Sequence, residues 1–356
     1  MRVLFIETFY GGSHKTFADQ YAEASRNEIH LITLPPRFWK WRQAGSAMRL
    51  SQLIPPKADT LFDVVIAGGM LDLAHLKVLR PDLPPVLLYL HENQFDYPLG
   101  PGEKIDFRYG LVDVMNILAS DKAAFNSSYN RNSLMTECGK LFKRLPDAIP
   151  SDVPAKLEEK STVLYPGIAP MTGTQDRNAR RQERKIPLVI WNHRHEHDKN
   201  PEAAFDALIR LARRSVRFEL AILGENFSNE PEAFNRARRH LSKQIVFDGY
   251  PERIRYNEWL YKGSVVISTA MQENFGLSVI EAAAAGCWPL MPRRLAYPEV
   301  MPQWVSGACF WDDGPSLDAK LEKVLRLSDS ERRKLTSPLS SWMKTYEWTV
   351  RAPLID

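Results

Sequence analysis

The chain has 356 residues, of which 44% are hydrophobic and 25% charged, a balance that excludes a disordered or fibrous protein. Its net charge of +4 excludes a histone-like binder, so a polyanion could bind only to a local basic patch. Three cysteines argue against a disulfide framework, and no apolar run approaches the roughly 20 residues of a membrane span. The apolar start reaches Glu7 too soon for a signal peptide. We therefore expect a cytoplasmic protein of two domains, without stable membrane insertion.

Short apolar segments rich in branched residues alternate with helix-like segments along the first half of the chain. They have the composition of strands that are buried on both faces of a sheet. Six of them are predicted as strands: RVLFIET, IHLITLP, DVVIAGG, VLLYLHE, KAAFNSS and TVLYPG. Their alternation with helices predicts βαβ units and a parallel sheet, as in doubly wound α/β domains.

The same pattern restarts after residues 171–186, which are polar and charged and are predicted to form a linker. Six further segments are predicted as strands: PLVIWNHR, RFELAILGE, QIVFDGY, SVVISTA, CWPLMPR and GACFWDD. The sequence thus predicts a first Rossmann-like domain over residues 1–170 and a second over residues 187–340. Nothing in the sequence indicates an oligomeric state.

Polar residues that follow strands are the candidates for function, because ligands bind at the carboxyl ends of parallel strands. Gly11 and Gly12 follow the first strand and precede a helix whose N-terminus suits a phosphate, although a plain βα turn is the alternative. His91, Glu92 and Asn93 follow the fourth strand, with helix capping by Asn93 as the alternative. These residues predict a ligand site at the edge of the first sheet.

The first strand of the second half ends in WNHRHEHDKNP. Asn200 is predicted to cap the helix that begins after it. Arg194 and Lys199 are two cations at a strand end, and they favour a clamp for a diphosphate. Three histidines at a spacing of two invite a zinc interpretation, with solvated loop histidines as the alternative: His193, His195 and His197.

The stretch STAMQENFGLSVIEAAAAG predicts a strand that ends at Ser268, a loop, and a helix from Leu277 to Gly286. Glu273 lies in the loop and Glu281 lies one turn into the helix, so both carboxylates can reach one ligand. Glu281 suits the two hydroxyls of a ribose. Two ordinary N-terminal helix carboxylates are the alternative, but that leaves the asparagine and glycine of the loop unexplained.

These motifs together resemble the retaining GT-B glycosyltransferases of family four. ENFGLSVIEA is similar to the E-x7-E signature of that family, Arg194 and Lys199 to its R-x4-K clamp, and Gly11–Gly12 to its first glycine loop. The segments FYGGSHKTFA, LPPRFWKWR and YLHENQFDYP are similar, more narrowly, to the tRNA-queuosine mannosyltransferases. This narrower resemblance spans the first domain's motifs and WNHRHEHDKNP.

The resemblance implies a role for each motif. Glu281 would hold the donor ribose, Arg194 and Lys199 would neutralise the diphosphate in place of a metal, and Gly12 would let the first domain close on it. Glu273 would hold the hexose hydroxyls and the β-phosphate, together with the backbone of Asn274, Phe275, Gly276 and Leu277. His91 would lie near the sugar and the acceptor. The resemblance also implies GDP-mannose as donor, no metal or other cofactor, and a last helix, within residues 341–356, that returns to the first domain.

The segment PPRFWKWR follows the second strand and combines aromatic rings with cations, which suit unstacked bases and phosphates. We expect it to bind tRNA that carries queuosine, with the acceptor-side residues Ser13, His14, Arg37, Trp39, Lys40, Trp41, Arg42, Glu92 and Asn93. The alternatives are that the tryptophans pack a helix, or that the segment meets an anionic membrane. From the resemblance we therefore expect a mannosyltransferase acting on queuosine in tRNA; the alternatives are a glycosyltransferase for a lipid or polysaccharide, and a non-catalytic protein that binds nucleotide-sugar or RNA.

Overall fold

The computed structural model describes residues 1–56, 61–95, 106–171, 185–226 and 230–356. The predicted linker lies outside the described residues except for residues 171, 185 and 186. The chain forms two compact units, of which the first comprises Met1–Ala169 and Tyr346–Asp356 and the second comprises Pro170–Thr345.

The first unit is built on a parallel sheet of six strands in the order β2-β1-β3-β4-β5-β6. The strands are β1 (Arg2–Glu7), β2 (Glu28–Thr33), β3 (Val64–Gly68), β4 (Val86–Leu90), β5 (Lys122–Phe125) and β6 (Ser161–Val163). Its helices are α1 (Gly12–Ala24), α2 (Trp39–Leu53), α3 (Leu73–Leu79), α4 (Phe107–Ala119), α5 (Ser128–Phe142) and α6 (Val153–Lys160). The chain order reverses between β1 and β3, which is where a doubly wound sheet binds its ligand.

Both faces of this first sheet are buried, which explains its nearly continuous apolar strands. Successive residues of β1 point to opposite faces: Val3 and Phe5 belong to one hydrophobic core with α1, and Leu4 and Ile6 belong to the other. Glu7 is the one charged residue of β1 that is fully buried, and it lies at the end of the strand. The strand therefore delivers a carboxylate to the edge of the sheet.

The second unit is built on a parallel sheet of six strands in the order β12-β11-β10-β7-β8-β9. Its strands are β7 (Leu188–Trp191), β8 (Glu219–Leu223), β9 (Ile245–Gly249), β10 (Val265–Ile267), β11 (Trp288–Pro292) and β12 (Phe310–Trp311). Its helices are α7 (Pro201–Arg213), α8 (Glu232–His240), α9 (Arg253–Lys262), α10 (Leu277–Ala284), α11 (Tyr297–Val300), α12 (Ser306–Cys309), α13 (Gly314–Arg326) and α14 (Asp329–Trp342). This is the strand order of a Rossmann fold, with the reversal between β7 and β10.

The last helix, α15 (Trp348–Ile355), packs on α1 of the first unit. The indole of Trp348 lies 5.2 Å from the ring of Phe17, and its N–H donates to Oε1 of Gln20 at 2.8 Å. The side chain of Asp356 accepts hydrogen bonds from Tyr21 and Ser25 of the first unit. The first unit thus contains both the start of the chain and its final residues.

All twelve segments predicted as strands contain one, and the prediction of two doubly wound parallel sheets is confirmed. The prediction that Asn200 caps a helix is also confirmed, because its side chain accepts a hydrogen bond from the amide of Ala203 at the start of α7. Across the described residues, no helix combines the length and the apolar character that crossing a bilayer requires.

Candidate active site

The glycine turn after β1 brings two segments of the first unit together. Gly12 has a φ of +51°, a left-handed conformation that favours glycine. A Cβ on Gly11 would lie 2.5 Å from the ring of Pro36, so this glycine permits close contact with the residues that precede the aromatic and basic segment. The predicted acceptor residues Ser13 and His14 follow in the first turn of α1.

Glu7, His14 and His91 form a buried cluster at the switch point of the first sheet. Oε2 of Glu7 lies 3.2 Å from Nδ1 of His14, and the imidazole rings of His14 and His91 are 4.3 Å apart. Burial holds the pKa of His91 well below its ordinary value, and the nearby His14 lowers it further. His91 is therefore a neutral imidazole in the folded protein at neutral pH.

The loop after β4 is held by its own side chains. Asn93 is completely buried; its Oδ1 accepts from the amide of Phe95 at 3.2 Å, and its Nδ2 donates to Oδ1 of Asn130 at 2.9 Å. The structure therefore places Asn93 inside the loop rather than at a surface where an acceptor could bind, and no helix of the described residues begins at it. Glu92 is partly exposed, and its Oε1 accepts from the side-chain Nε2 of Gln94 at 3.5 Å.

The aromatic and basic segment runs into α2, and its two tryptophans differ. The ring of Trp39 packs on Tyr109 of α4 at 5.0 Å, with Nζ of Lys40 5.5 Å from the Trp39 ring. Trp41 is 55% exposed, and its ring lies against Gly45, one turn further along α2. Trp39 thus follows the helix-packing alternative, whereas Trp41 offers an open aromatic face.

The two cations that flank these rings also differ. Arg37 is exposed, and Arg42 donates to the carbonyl of Pro35 from both Nε and Nη2, at 3.3 and 3.2 Å. Phe38, between them, is 73% exposed and has a φ of +57°, which is uncommon for a bulky residue. The segment therefore holds a strained, exposed ring among cations.

A buried carboxylate ties this segment to the loop after β4. Oδ1 of Asp113, in α4, accepts from Nε2 of Gln43 in α2 at 2.9 Å, and its Oδ2 accepts from the amide of Gln94 at 2.9 Å. Burial raises the pKa of Asp113 well above its ordinary value. Asp113 thus fixes α2 relative to the loop that carries His91.

In the second unit, Lys199 lies buried among carboxylates. Its Nζ is 3.0 Å from Oδ2 of Asp198 and 3.6 Å from Oε2 of Glu273, and it donates to the carbonyl of Gln272 at 2.8 Å. Burial by itself would lower the pKa of Lys199, but the two carboxylates outweigh burial and raise it. Lys199 is therefore a fixed cation in a site of low dielectric.

Glu273 closes the N-terminus of α10. Its Oε1 accepts from the amide of Gly276 at 3.0 Å and from that of Phe275 at 3.5 Å. Gly276 has a φ of +92°, and a Cβ there would lie 2.9 Å from the ring of Tyr297. In this structure the protein's own carboxylate accepts from two backbone amides that the family resemblance assigns to a ligand. A ligand at those amides would have to displace Glu273.

Glu281 is 6% exposed and already has two partners. Oε1 lies 2.6 Å from Nη2 of Arg253, and Oε2 accepts from the hydroxyl of Tyr256 at 3.1 Å. That hydroxyl in turn accepts from Nδ2 of Asn192, which follows β7. Glu281 is thus oriented by α9 and by the end of β7, and a ribose would compete with the exposed Arg253 for its carboxylate.

Arg194 and Lys199 do not form a symmetrical pair of cations. The Arg194 side chain is 48% exposed and lies 3.0 Å from Oε2 of Glu196, whereas Lys199 is buried. The exposed Arg194 side chain can therefore change its conformation when a ligand binds, whereas the Lys199 side chain is held in position.

The three histidines of this loop have different surroundings and do not gather into a group of potential metal ligands among the described residues. They follow β7 rather than lying on one face of it, because the strand ends at Trp191. Nδ1 of His193 lies 3.4 Å from Oγ of Ser278, and His195 stacks on Phe234 at 3.9 Å with its Nδ1 2.6 Å from Oε1 of Glu230. His197 is exposed.

Comparison with known proteins gives two matches that together cover most of the chain. A family described as "tRNA-queuosine alpha-mannosyltransferase N-terminal" matches residues 2–168, and "Glycosyl transferases group 1" matches residues 174–337. A Drosophila melanogaster protein named tRNA-queuosine alpha-mannosyltransferase is 37% identical over 310 residues, or 85% of this chain and 82% of that protein. The chain belongs to the tRNA-queuosine alpha-mannosyltransferase family. It is a glycosyltransferase, as the sequence predicts.

Solved structures that resemble the chain are far more distant in sequence. Sucrose-phosphate synthase from Thermosynechococcus elongatus has a TM-score of 0.73 and 12% identity, over 100% of this chain and 97% of that one. Anabaena HepE in complex with UDP and glucose has a TM-score of 0.69 and 14% identity, over 100% of this chain and 98% of that one. These likenesses concern the fold alone and confirm the predicted GT-B class.

The structure adds residues to the candidate site that the sequence reasoning did not select. Glu7 could have been found, since it is a charged residue that ends an apolar strand just before the glycine turn, the same signal that selects His91. Asp198 also lies beside a selected residue. Arg253 and Asp113 carry no such signal, because each lies within a helix distant in sequence from its partner.

Replacing His193 by glutamine should make the protein less sensitive to acid. Burial lowers the pKa of His193 to about 3, whereas that of an unfolded histidine is about 6.5. Between these pH values the unfolded chain binds a proton that the native protein excludes, so the free energy of unfolding falls as the pH falls, and His193 contributes nothing to this slope above about pH 6.5.

Denaturant unfolding measured across the acid range tests this. We expect the loss of unfolding free energy between about pH 6.5 and about pH 4.5 to shrink by roughly 1–3 kcal/mol in His193→Gln, since the limit is about 1.4 kcal/mol per pH unit. The same substitution at the exposed His197 of the same loop is the control. An unchanged slope in His193→Gln would show that His193 is not held neutral by burial.

Proposed function

We propose that this protein transfers mannose from GDP-mannose to queuosine in tRNA, in the cytoplasm. The observation that carries the proposal is the 37% identity to the Drosophila protein of that name over 310 residues. The family match over residues 2–168 includes Glu7, His14, His91 and the whole aromatic and basic segment. Glu7 and His14 are buried, whereas Phe38 and Trp41 of the segment are exposed. Exposed rings beside buried polar groups are consistent with a binding site for an acceptor.

The proposed donor site is the switch point of the second sheet. Glu281 would accept the ribose hydroxyls, and Arg194 and Lys199 would neutralise the diphosphate. Negative charge grows on the leaving GDP as the bond to mannose breaks, so fixed cations in a buried site stabilise the transition state more than the ground state. Lys199 supports this assignment, because nearby carboxylates raise its pKa and keep it charged despite burial.

The proposal also covers the metal dependence and the stereochemistry of the reaction. With protein cations on the diphosphate, the reaction should proceed at the same rate in buffer without added magnesium. The configuration at the mannose carbon should be retained, with the acceptor attacking on the face that the diphosphate leaves and a phosphate oxygen taking its proton. The sugar passes through a state that resembles an oxocarbenium ion, as in glycoside hydrolysis.

The proposed acceptor surface is the start of α2, with Phe38 and Trp41 as its exposed rings and Arg37 and Lys40 as its exposed cations. A modified base displayed on an RNA loop is recognised by stacking and by cations at its phosphates. The left-handed Phe38 supports this reading, because a bulky residue in that conformation has an energetic cost that function commonly explains.

Trp41→Ala should weaken the use of tRNA without disturbing the donor site. Stacking of a base on an aromatic ring contributes about 1–3 kcal/mol, so we expect KM for tRNA to rise by roughly 5- to 150-fold. KM for GDP-mannose and the free energy of unfolding should stay close to those of the wild type, because the ring is exposed. Steady-state kinetics with each substrate varied in turn measures this.

Met48→Ala is the matched control for Trp41→Ala, since Met48 is an apolar residue of the same helix and is 57% exposed. It should leave both KM values unchanged. Equal effects of the two substitutions, or a rise in KM for the donor, would contradict the stacking assignment.

The class of acceptor is tested separately by binding. Retention of radiolabelled tRNA on a filter should be strong and should fall with salt, because phosphate contacts release counterions. Pelleting with vesicles of anionic phospholipid should be weak. The opposite pattern would favour a lipid acceptor and leave the glycosyltransferase assignment intact.

A further inference from the structure

We propose that Glu7, His14 and His91 bind one divalent transition-metal ion of the zinc type. The proposed site lies within the first unit, and it does not rest on the proposed function. The sequence predicts no metal for this protein, and the donor chemistry above needs none, so the site would be an addition to both.

The fold brings the three side chains together from separate elements. Glu7 ends β1, His14 lies in the first turn of α1, and His91 directly follows β4. Gly68 ends β3, which lies between β1 and β4, and a Cβ there would be 2.5 Å from Oε2 of Glu7. The glycine therefore keeps open the space that the carboxylate occupies.

The ligand atoms lie near the spacing that a metal requires. One ligand atom of each residue lies within 4.8 Å of the other two, and the Glu7 oxygen is 3.2 Å from Nδ1 of His14. Bonds of about 2.0–2.2 Å to nitrogen and oxygen place neighbouring ligands of a tetrahedral ion roughly 3.3–3.5 Å apart. Binding a tetrahedral ion would therefore draw the atoms of the wider pairs together. Among the described residues, this is the one group of three or more potential ligands so arranged.

The electrostatics of the cluster also favour a cation. Glu7 is fully buried, and the partners that its carboxylate has among the described residues are the amide of Phe9 and the ring of His14 rather than a lysine or arginine. Buried charges in proteins are normally paired or coordinate a metal. Within the described part of the chain, Nε2 of His91 is buried and has no hydrogen-bond partner, a state that requires an explanation.

The donor set selects the kind of ion. Two imidazoles and one carboxylate suit zinc, iron, cobalt or manganese, whereas magnesium and calcium prefer oxygen ligands alone. Three protein ligands leave a coordination position open, as in catalytic rather than structural zinc sites. Phe17 and Tyr89 line the ring of His91, each with its centroid 4.9 Å away, and would shield the ion on that side.

The test is metal binding by the full-length protein, independent of its activity. The protein is stripped with a chelator, incubated with Zn²⁺ or Co²⁺ and desalted, and the metal is measured by mass spectrometry. We expect one ion per chain, and for Co²⁺ the visible absorption bands of a four- or five-coordinate site. Glu7→Gln and His91→Gln should each weaken the affinity by at least roughly 10- to 100-fold.

His30→Gln is the matched control, because His30 also pairs with a glutamate, Glu28, at 2.7 Å but lies outside the cluster. It should bind metal like the wild type. Circular dichroism checks that each variant is folded. Should Glu7→Gln fail to fold, His91→Gln alone decides the test, since Nε2 of His91 bonds to no described group in the wild type. Less than a tenth of an ion per wild-type chain, or binding retained in the folded variants, would overturn the proposal and leave Glu7 and His14 as a hydrogen-bonded pair only.

Discussion

Glu273→Gln should lower kcat/KM for transfer by about 10²–10³-fold, or roughly 3–4 kcal/mol, while the protein remains folded. The amide oxygen of glutamine can still accept from the amide of Gly276, so the cap of α10 survives. What is lost is the negative charge 3.6 Å from Nζ of Lys199. That charge helps to raise the pKa of Lys199, and under the proposed function it also holds the mannose hydroxyls.

Glu252→Gln is the control for this substitution, because Glu252 is an exposed carboxylate of the same unit. Its kcat/KM should equal that of the wild type. A Glu273→Gln enzyme within threefold of the wild type would show that the carboxylate takes no part in transfer.

Trp348→Ala should destabilise the first unit by about 3–5 kcal/mol, the range for emptying a large aromatic site in a core. The residue is 2% exposed and belongs to the same core as Val3, Phe5 and Phe17. Its loss would also leave Oε1 of Gln20 without the indole donor. Because α1 carries His14, a loosened last helix should reduce transfer as well as stability.

Chemical denaturation followed by circular dichroism measures this loss. Trp304→Ala is the matched control, since Trp304 is a tryptophan of the second unit that is 57% exposed. Its free energy of unfolding should lie within about 0.5 kcal/mol of the wild type. Equal losses in the two variants would show that α15 contributes no more than an ordinary surface helix.

The fold could be predicted well from the sequence because the strands and helices of this fold class have local sequence patterns. Each strand that is buried on both faces is a short apolar run, and the polar residues that end it follow directly in sequence. The strand ending in Glu7 and the strand ending before His91 illustrate this, since each is apolar up to the sheet edge. Such patterns also locate the switch points, and hence the residues that lie beside them.

The site could be predicted only in part, because side-chain pairing is not local. The E-x7-E spacing does not reveal that Arg253 donates a hydrogen bond to the carboxylate of Glu281. Nor does it reveal that Glu273 accepts from the amide of Gly276 at the start of α10. The two tryptophans of PPRFWKWR likewise have similar sequence surroundings. Only the position of Tyr109 on α4 decides that Trp39 is packed while Trp41 is open.

The measurement that tests the central claim most directly is transfer itself. The purified protein is incubated with GDP-mannose, or with other sugar nucleotides, and with tRNA from cells that contain or lack queuosine. The tRNA is then digested to nucleosides, and the mass of each nucleoside is measured. The proposed function predicts a gain of one hexose on queuosine, seen with GDP-mannose and only with tRNA that contains queuosine. No gain with any donor, from a protein that binds this tRNA, would contradict it.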